Sequence, residues 1–214
     1  MNPVEPARDL PWQRQRRSGL LAIALSSLVA AALWFAICRY APAIEAMVTV
    51  EARMGFALKC AVMAVLFTLL TGVNAVAHER LVTPAFDPLA GYENRRFRVN
   101  QRYLQNTVEQ TLIFLPGLFG LAYYVADMRA VLATTVVWVL ARLAFWIGYH
   151  RSAAMRAMGA PGMGLALVLL IYVAVRIGYE AAGEAGAWGV LVAYLLFEAV
   201  LFWTTRAREG GLDA

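Results

Sequence analysis

The residues best suited to chemistry include a group of basic and aromatic side chains in one apolar stretch, ARLAFWIGYHRSAAMR (141–156). Arg142, Phe145 and Tyr149 share one face of a helix, and Arg156 returns to nearly the same face if the helix continues. A charge inside an apolar helix costs roughly 2.5 to 3.5 kcal/mol on insertion scales, so such an arginine is expected to be paired or functional.

A second stretch, RYLQNTVEQTLIF (102–114), supplies polar side chains that complement the arginines. Arg102, Asn106 and Glu109 follow one another at i, i+4 and i+7 and therefore share one helical face. We expect this face to meet the face that carries Arg142. One hypothesis is that Glu109 and Arg142 form a structural ion pair that cancels two buried charges.

The alternative hypothesis is a binding site, because Glu109 and Arg142 are accompanied by more polar residues than one ion pair needs. These are Arg102, Asn106, Tyr149, Arg151 and Arg156. Such a set suits a small anion with more than one carboxylate, since the planar guanidinium group grips carboxylates with two parallel hydrogen bonds. A cation beside a bound thiol would also favour its reactive thiolate form.

The composition predicts which kind of protein holds these residues. The chain has 61% hydrophobic and 15% charged residues, with a mean hydropathy of +0.60. These values are typical of an all-α, polytopic membrane helix bundle. The net charge of +5 rests on arginines that lie beside apolar segments, which favours a role in membrane orientation over nucleic-acid binding.

Metal binding is not expected from this sequence. His78 and His150 stand alone, without a second histidine or a carboxylate at ligand spacing. Cys38 and Cys60 both lie within apolar runs and show no metal-binding spacing, so they are interpreted as buried thiols.

Six apolar segments each approach the roughly 20 residues that cross a hydrocarbon core. They are Leu20–Ala41, Gly55–Ala77, Tyr103–Ala126, Ala130–Tyr149, Gly162–Tyr179 and Gly186–Thr205. Six spans place both termini on one side, and that side would carry thirteen arginines against three on the other. The positive-inside rule then predicts cytoplasmic termini, in a bacterial inner membrane.

The span directions also set the depth of the polar residues. Glu109 and Arg142 would each lie about 10 Å inside the same, cytoplasmic surface. The long connection 78–101 would be a cytoplasmic loop, and its basic cluster 95–98 would either bind lipid headgroups or attract an anionic substrate.

Both polar stretches resemble the MAPEG family, the membrane-associated proteins of eicosanoid and glutathione metabolism, and particularly its leukotriene-synthase-like branch. The segment 141–156 is similar to the family's Arg-x-x-aromatic-x-x-x-Tyr-x-Arg-Ser-x-x-x-Arg pattern. A second signature of the family is matched by Phe97, Arg102, Asn106, Glu109 and Phe114. The chain departs from the family at other positions, which are Arg98, Val99, Tyr103, Leu104 and Phe145.

The resemblance implies a homotrimer of four-helix units that binds glutathione, as co-substrate, between subunits near the cytoplasmic face. The residues that it assigns to glutathione binding are Arg102, Asn106, Glu109, Arg142, Tyr149 and, by a looser match, Arg151. It assigns stabilisation of the glutathione thiolate to Arg156, as the catalytic residue.

The resemblance also implies the domain organisation. The predicted parts are a basic N-terminal segment (1–19), an added helix and loop (20–54), a four-helix membrane domain (55–179) and an added helix and tail (180–214).

Three functions fit the sequence. The first is glutathione-dependent transfer to, or reduction of, a lipophilic electrophile. The second is a non-catalytic protein that binds a lipid or a partner protein, in which the polar residues only neutralise one another. The third is a transporter or channel, although the chain lacks the internal repeats and broken helices typical of that class.

Overall fold

A computed structural model describes residues 12–44, 47–87, 89 and 91–205, and these residues form a helical bundle without strands. The long helices are α1 (Trp12–Tyr40), α2 (Val50–Val82), α3 (Arg95–Tyr124), α4 (Met128–Arg151) and a final helix, Ala160–Thr205. The all-α prediction is confirmed. The terminal segments 1–11 and 206–214, with their arginines, lie outside the described residues.

The final helix is in fact two helices, because its backbone leaves helical geometry at Ala182 and Gly183, where the φ of Gly183 is +60°. Gly178 and Gly186 lie in direct backbone contact, although residues eight apart in a straight helix are about 12 Å apart. The chain therefore reverses here, as expected between the fifth and sixth predicted spans. The two segments are named α5 (160–181) and α6 (184–205).

The bundle has the apolar helices of an integral membrane protein. By length and composition, the segments that can cross a membrane are Gln13–Tyr40, Val50–Val82, Met128–Arg151 and Met155–Thr205, the last of which contains both α5 and α6. Helix α3 is equally long, at 30 residues, but its first half is polar. It packs against α2, α4 and α5, and this packing buries the polar residues Asn100, Thr107 and Gln110.

The start of α3 corrects the predicted cytoplasmic loop. The side chain of Asn94 accepts a hydrogen bond from the backbone N–H of Phe97 at 2.7 Å and so caps a helix that begins at Arg95. Helix α2 extends to Val82 at the other side of the connection. The expected loop 78–101 is therefore shorter, and its basic cluster occupies the first turn of α3.

Successive helices run antiparallel, and this arrangement sorts the charges to the two ends of the bundle. Arg53, near the start of α2, donates to the backbone oxygen of Val125, just after α3. Arg95 donates to the backbone oxygens of Tyr149 (3.3 Å) and His150 (3.0 Å), at the end of α4. The end of the bundle where α3 begins and α4 ends carries Arg95–Arg98 and Arg151, and we name it the basic end.

Two packing features fix the middle of α3. The backbone oxygen of Thr68, within a π-helical turn of α2 (Leu66–Leu70), accepts a hydrogen bond from the hydroxyl of Tyr103 at 3.1 Å. Further along, Phe114 stacks on Trp138 of α4 with 4.2 Å between ring centroids. Between these two anchors, α3 presents its polar side chains to α4.

Candidate functional site

Arg142 lies at the centre of the polar contact between α3 and α4, and its side chain is fully buried. One terminal nitrogen donates to Oε1 of Gln110 at 2.8 Å. The other donates to Oδ1 of Asn106 at 2.9 Å and to Oγ1 of Thr107 at 3.2 Å. All three acceptors are neutral groups, so the positive charge of Arg142 is solvated by them but not cancelled.

Aromatic rings also lie close to the guanidinium group. Its carbon lies 4.6 Å from the centroid of the Phe145 ring and 5.7 Å from that of Tyr103. Tyr103 is itself fully buried and stacks on Trp146. Because aromatic faces carry partial negative charge, these rings add a weak attraction for the cation without accepting its protons in strong hydrogen bonds.

Arg142 borders a cavity of about 390 Å³, which we name the arginine cleft. Its lining residues are Arg102, Gln105, Asn106, Glu109, Gln110, Arg142, Phe145, Tyr149, Arg156, Ala157, Gly159 and Ala160. Three arginines and one glutamate give this lining a net charge of +2. An excess of positive charge in a partly closed cavity favours anionic ligands.

The structure brings six of the seven predicted site residues to this cleft. They are Arg102, Asn106, Glu109, Arg142, Tyr149 and Arg156. The seventh, Arg151, is the exposed last residue of α4 and is not part of the lining.

The suggested ion pair between Glu109 and Arg142 is wrong. Among the described residues, the ion pairs join Arg96 to Glu79 and Arg129 to Asp127. Viewed along the axis of α3, Glu109 and Gln110 lie on opposite sides of Asn106. Arg142 contacts the side that carries Gln110. Glu109 instead accepts a hydrogen bond from the amide of Gln105 at 3.1 Å.

Arg156 reaches the cleft by a route that differs from the predicted one. Helix α4 ends at Arg151, and Arg156 lies in a short 3-10 segment, Met155–Gly159. This linker folds back against α4, where its backbone lies directly on Gly148 and leaves no room for a Cβ atom. The fold-back places the guanidinium carbon of Arg156 5.6 Å from the ring centroid of Tyr149.

Gln105, Thr107 and Gln110 are polar residues of this region that sequence reasoning missed. The signal was available, because Tyr103, Thr107 and Gln110 repeat the i, i+4, i+7 spacing of the predicted face one residue further along. That neighbouring face is the buried one that contacts Arg142.

A further polar cluster supports the basic end beside the cleft. Oδ1 of Asn100 lies 2.9 Å from the indole nitrogen of Trp146 and 2.9 Å from Nε2 of His150. The amide nitrogen of Asn100 also donates to the backbone oxygen of Ala75 at 3.5 Å. Asn100 thus connects α2, α3 and α4. Its contact with His150 gives that histidine a structural role. No group of potential metal ligands occurs among the described residues.

Comparison with known proteins gives one match. Neither the curated proteins nor the solved structures include a match to this chain. The model of the MAPEG family matches residues 56–180, which is more than half of the 214 residues. This range contains α3, α4 and the whole lining of the arginine cleft. The chain therefore belongs to the MAPEG family.

Proposed function

We propose that the arginine cleft binds glutathione and that the protein is a membrane-bound, glutathione-dependent transferase or peroxidase that acts on a lipophilic electrophile. One observation carries this proposal. The buried guanidinium of Arg142 is held only by neutral groups, in the same cavity as Arg102, Arg156 and Glu109.

The charges of the cleft match those of glutathione. The tripeptide carries two carboxylates and one ammonium group at neutral pH. The guanidinium groups of Arg102 and Arg142 suit the carboxylates, and the exposed carboxylate of Glu109 suits the ammonium group. The cavity volume of about 390 Å³ lies within the range of about 300 to 1,000 Å³ usual for small-molecule sites.

The chemistry requires a thiolate, and Arg156 is the residue suited to stabilise it. A cation beside the sulfur lowers the cost of losing the thiol proton. In transfer, the sulfur bonds to an electrophilic carbon, and the leaving group departs with its electron pair. In peroxide reduction, the sulfur attacks the terminal oxygen of the hydroperoxide, the O–O bond breaks, and the alkoxide takes a proton and leaves as an alcohol. The sulfur is then a sulfenic acid, and the thiol of a second glutathione displaces its oxygen as water to form the disulfide.

The position of the cleft suits an acceptor that arrives from the membrane. It is lined by α3 and α4, and α4 is long and apolar enough to cross a bilayer. Membership of the MAPEG family supports a glutathione-related activity of this kind. We further propose that the basic end is cytoplasmic, in a bacterial inner membrane, because thirteen of the arginines belong to that side in a six-span topology.

We also propose that three subunits assemble and that neighbours complete the cleft. In one chain, Arg102, Gln105 and Glu109 of the lining are exposed, although they lie within a helix of the bundle. A neighbouring subunit would enclose the glutathione at this side. Native mass spectrometry should give three times the mass of one chain, and a stable monomer that retains activity would contradict the assembly.

Arg102→Ala provides the test of glutathione binding, with Arg98→Ala as its matched control. Both residues are exposed arginines on α3, one turn apart, but only Arg102 lines the cleft. Calorimetry should show glutathione affinity reduced about tenfold in Arg102→Ala and unchanged in Arg98→Ala, as expected for one lost charge-assisted contact. Equal affinities in both variants would contradict the proposed site.

The rival hypothesis of a non-catalytic lipid- or protein-binding member makes a different prediction. In that case glutathione would bind poorly, and no conjugate or alcohol product would form from a lipophilic electrophile or hydroperoxide. Product mass spectrometry with the wild-type protein separates the two hypotheses. The same assay with Arg151→Ala tests the predicted part of Arg151, which lies outside the lining.

A further inference from the structure

Two charged side chains lie within apolar spans and have no ion-pair partner among the described residues. They are Lys59 of α2 and Glu198 of α6, and both are exposed. Lys59 follows the start of α2 by nine residues, and Glu198 precedes the end of α6 by seven. Each therefore lies about 10 Å or more from the nearer end of its helix. A charge at such a depth is costly in lipid, so each is expected to have a partner.

Lys59 lies at a groove between α2 and α4, which we name the lysine groove. The groove has a volume of about 390 Å³, and its lining residues are Phe56, Lys59, Cys60, Met63, Phe67, Leu132, Thr135, Val136, Val139 and Leu140. Lys59 is the one charged residue of this lining. The hydroxyl of Thr135 already donates to the backbone oxygen of Val131 at 2.9 Å. The groove thus combines an unpaired cation with an apolar surface.

Helix α6 carries a surface that complements this groove. Its first turns pack on α5, but every residue from Leu195 to Thr205 is exposed. Leu195, Glu198 and Phe202 share one face of the helix, and the two apolar members are 55% and 73% exposed. This face therefore presents a carboxylate between large apolar side chains.

The depth of Glu198 follows from two close contacts between helices. Gly162 of α5 lies against Ala141 of α4, and Gly178 of α5 lies against Gly186 of α6. The chain advances about 24 Å from Gly162 to Gly178 and returns about 18 Å from Gly186 to Glu198. Glu198 is thus about 6 Å from the level of Ala141, toward the end of the bundle where α5 turns into α6.

Lys59 lies at nearly the same depth as Glu198. Its neighbour Cys60 lines the groove together with Thr135, which lies about 9 Å from Ala141 along α4, toward the same end. The two levels differ by less than about 5 Å, a distance that the flexible side chains of lysine and glutamate can span. Among the described residues, however, α2 contacts α3 and α4 but neither α5 nor α6. Two copies of the chain are therefore needed to bring the charges together.

We propose that α6 of one subunit packs into the lysine groove of a second copy, where Glu198 bonds to Lys59. The ion pair cancels two charges inside the membrane, and Leu195 and Phe202 cover the apolar lining. Because α6 and the groove are different surfaces, the contact is head-to-tail and closes a ring of subunits when the rotation allows. Helix α6 follows the family-matched residues 56–180, and the lysine groove shares no residue with the arginine cleft. The contact is therefore separate from glutathione binding.

Lys59 is the only lysine of the chain, which gives this contact a specific chemical test. A membrane-permeable carbodiimide activates a carboxylate, the deprotonated lysine amine attacks the activated carbon, and an amide forms as the urea leaves. Wild-type protein in native membranes should yield pairs of chains joined through Lys59 and Glu198, identified by peptide mass spectrometry. Glu198→Gln and Lys59→Arg should each abolish the joined pairs. Glu184→Gln, which removes another exposed glutamate of α6, should retain them.

The stability of the assembly gives an independent measurement. On dilution in detergent, the mole fraction at which the assembly dissociates should rise about tenfold in Glu198→Lys, because like charges then meet. The double variant Lys59→Glu, Glu198→Lys should return to the wild-type value, which also shows that the single variant is folded. Unchanged dissociation in Glu198→Lys, or no recovery in the double variant, would overturn the proposal. Failure of the wild type to form joined pairs, or attachment of Lys59 to another protein, would also overturn it.

Discussion

The two ends of the bundle use the same residue types in different ways. At the hairpin end, away from the basic end, the hydroxyl of Tyr124 donates to Oε2 of Glu180 at 3.0 Å, and the guanidinium of Arg176 lies 5.0 Å from the same ring. The carboxylate of Glu180 and the guanidinium of Arg176 thus both lie against Tyr124. In the arginine cleft, Arg142 meets rings and neutral amides, while Glu109 is held apart by Gln105.

This difference shows what makes a cluster of arginines receptive to a ligand. Where a carboxylate shares the site of the cation, the local charge is largely cancelled. Where amide and hydroxyl oxygens solvate the cation, its terminal nitrogens are hydrogen-bonded but its charge remains available to an anion. Anion binding in the arginine cleft therefore depends on the neutrality of Gln110, Asn106 and Thr107.

The largest expected effect follows from removing the buried cation. Arg142→Met should weaken glutathione binding by roughly a hundredfold, because it removes the central charge and its hydrogen bonds to Gln110, Asn106 and Thr107. Calorimetry measures the affinity. Arg129→Ala is the control on the same helix, since Arg129 pairs with Asp127 at the opposite end.

A folding defect in Arg142→Met would be recognised by loss of the native assembly in detergent. Arg142→Lys then tests the same point, because it keeps the charge but cannot donate in the same three directions. We expect an affinity between those of the wild type and Arg142→Met. Wild-type affinity in both variants would show that Arg142 is only structural.

A carboxylate beside Arg142 would cancel the positive charge of that residue in the cleft. Gln110→Glu places a carboxylate where the amide oxygen now lies, 2.8 Å from the guanidinium of Arg142. Glutathione affinity should fall about tenfold, because the carboxylate competes with the ligand for the same cation. The matched change at the other end, Glu180→Gln, should leave glutathione affinity unchanged. An equal or higher affinity in Gln110→Glu would refute the importance of neutral partners.

A smaller effect is expected from displacing Arg156 through its linker. A Cβ atom at Gly159 would overlap Phe145, so Gly159→Ala must shift the linker that carries Arg156. We expect kcat to fall roughly fivefold, with little change in glutathione affinity, because the main binding residues stay in place. Gly164→Ala is the control, since open space surrounds that position. Identical kinetics in the two variants would argue against a positioning role for the linker.

The smallest effect is expected for Phe145→Tyr. The ring would still face Arg142 at about the same distance, and the added hydroxyl would enter the lining of the cleft. Glutathione affinity should change by less than about threefold, the scale of one exposed hydrogen bond. A change of tenfold or more would show that the ring contacts the ligand more directly than proposed.

Helical periodicity explains why most of the cleft could be predicted from the sequence. Arg102, Asn106 and Glu109 recur at helical spacing, as do Arg142, Phe145 and Tyr149, so each set had to share a face. The helical class and the turn between the last two spans followed from composition and from the length that a membrane imposes.

Periodicity could not decide which neighbouring face of α3 contacts Arg142. The faces that carry Glu109 and Gln110 have the same residue spacing. The opposite charges of Glu109 and Arg142 favoured the face of Glu109, whereas Arg142 contacts the face of Gln110. The buried face carries Tyr103, whose hydroxyl is anchored to the π-helical turn of α2. That anchor is a tertiary contact, which residue spacing within α3 does not reveal.

The path of the chain that brings Arg156 to the cleft also could not be predicted from the sequence. A continued helix was the simple extrapolation, but α4 ends at Arg151 and the linker turns back. The turn depends on the missing side chain of Gly148, which allows the backbone of Met155 to lie against α4. Such a close approach becomes visible only when both segments are placed.

Whether the cleft binds glutathione with its sulfur beside Arg156 is tested most directly by the ultraviolet absorbance of the thiolate. Titration of the wild-type protein with glutathione at neutral pH should produce a saturable thiolate signal, and Arg98→Ala should retain it. Arg156→Ala should lose most of the signal at saturating glutathione, because the cation that favours the ionised sulfur is gone. A thiolate signal of wild-type size in Arg156→Ala would contradict the account.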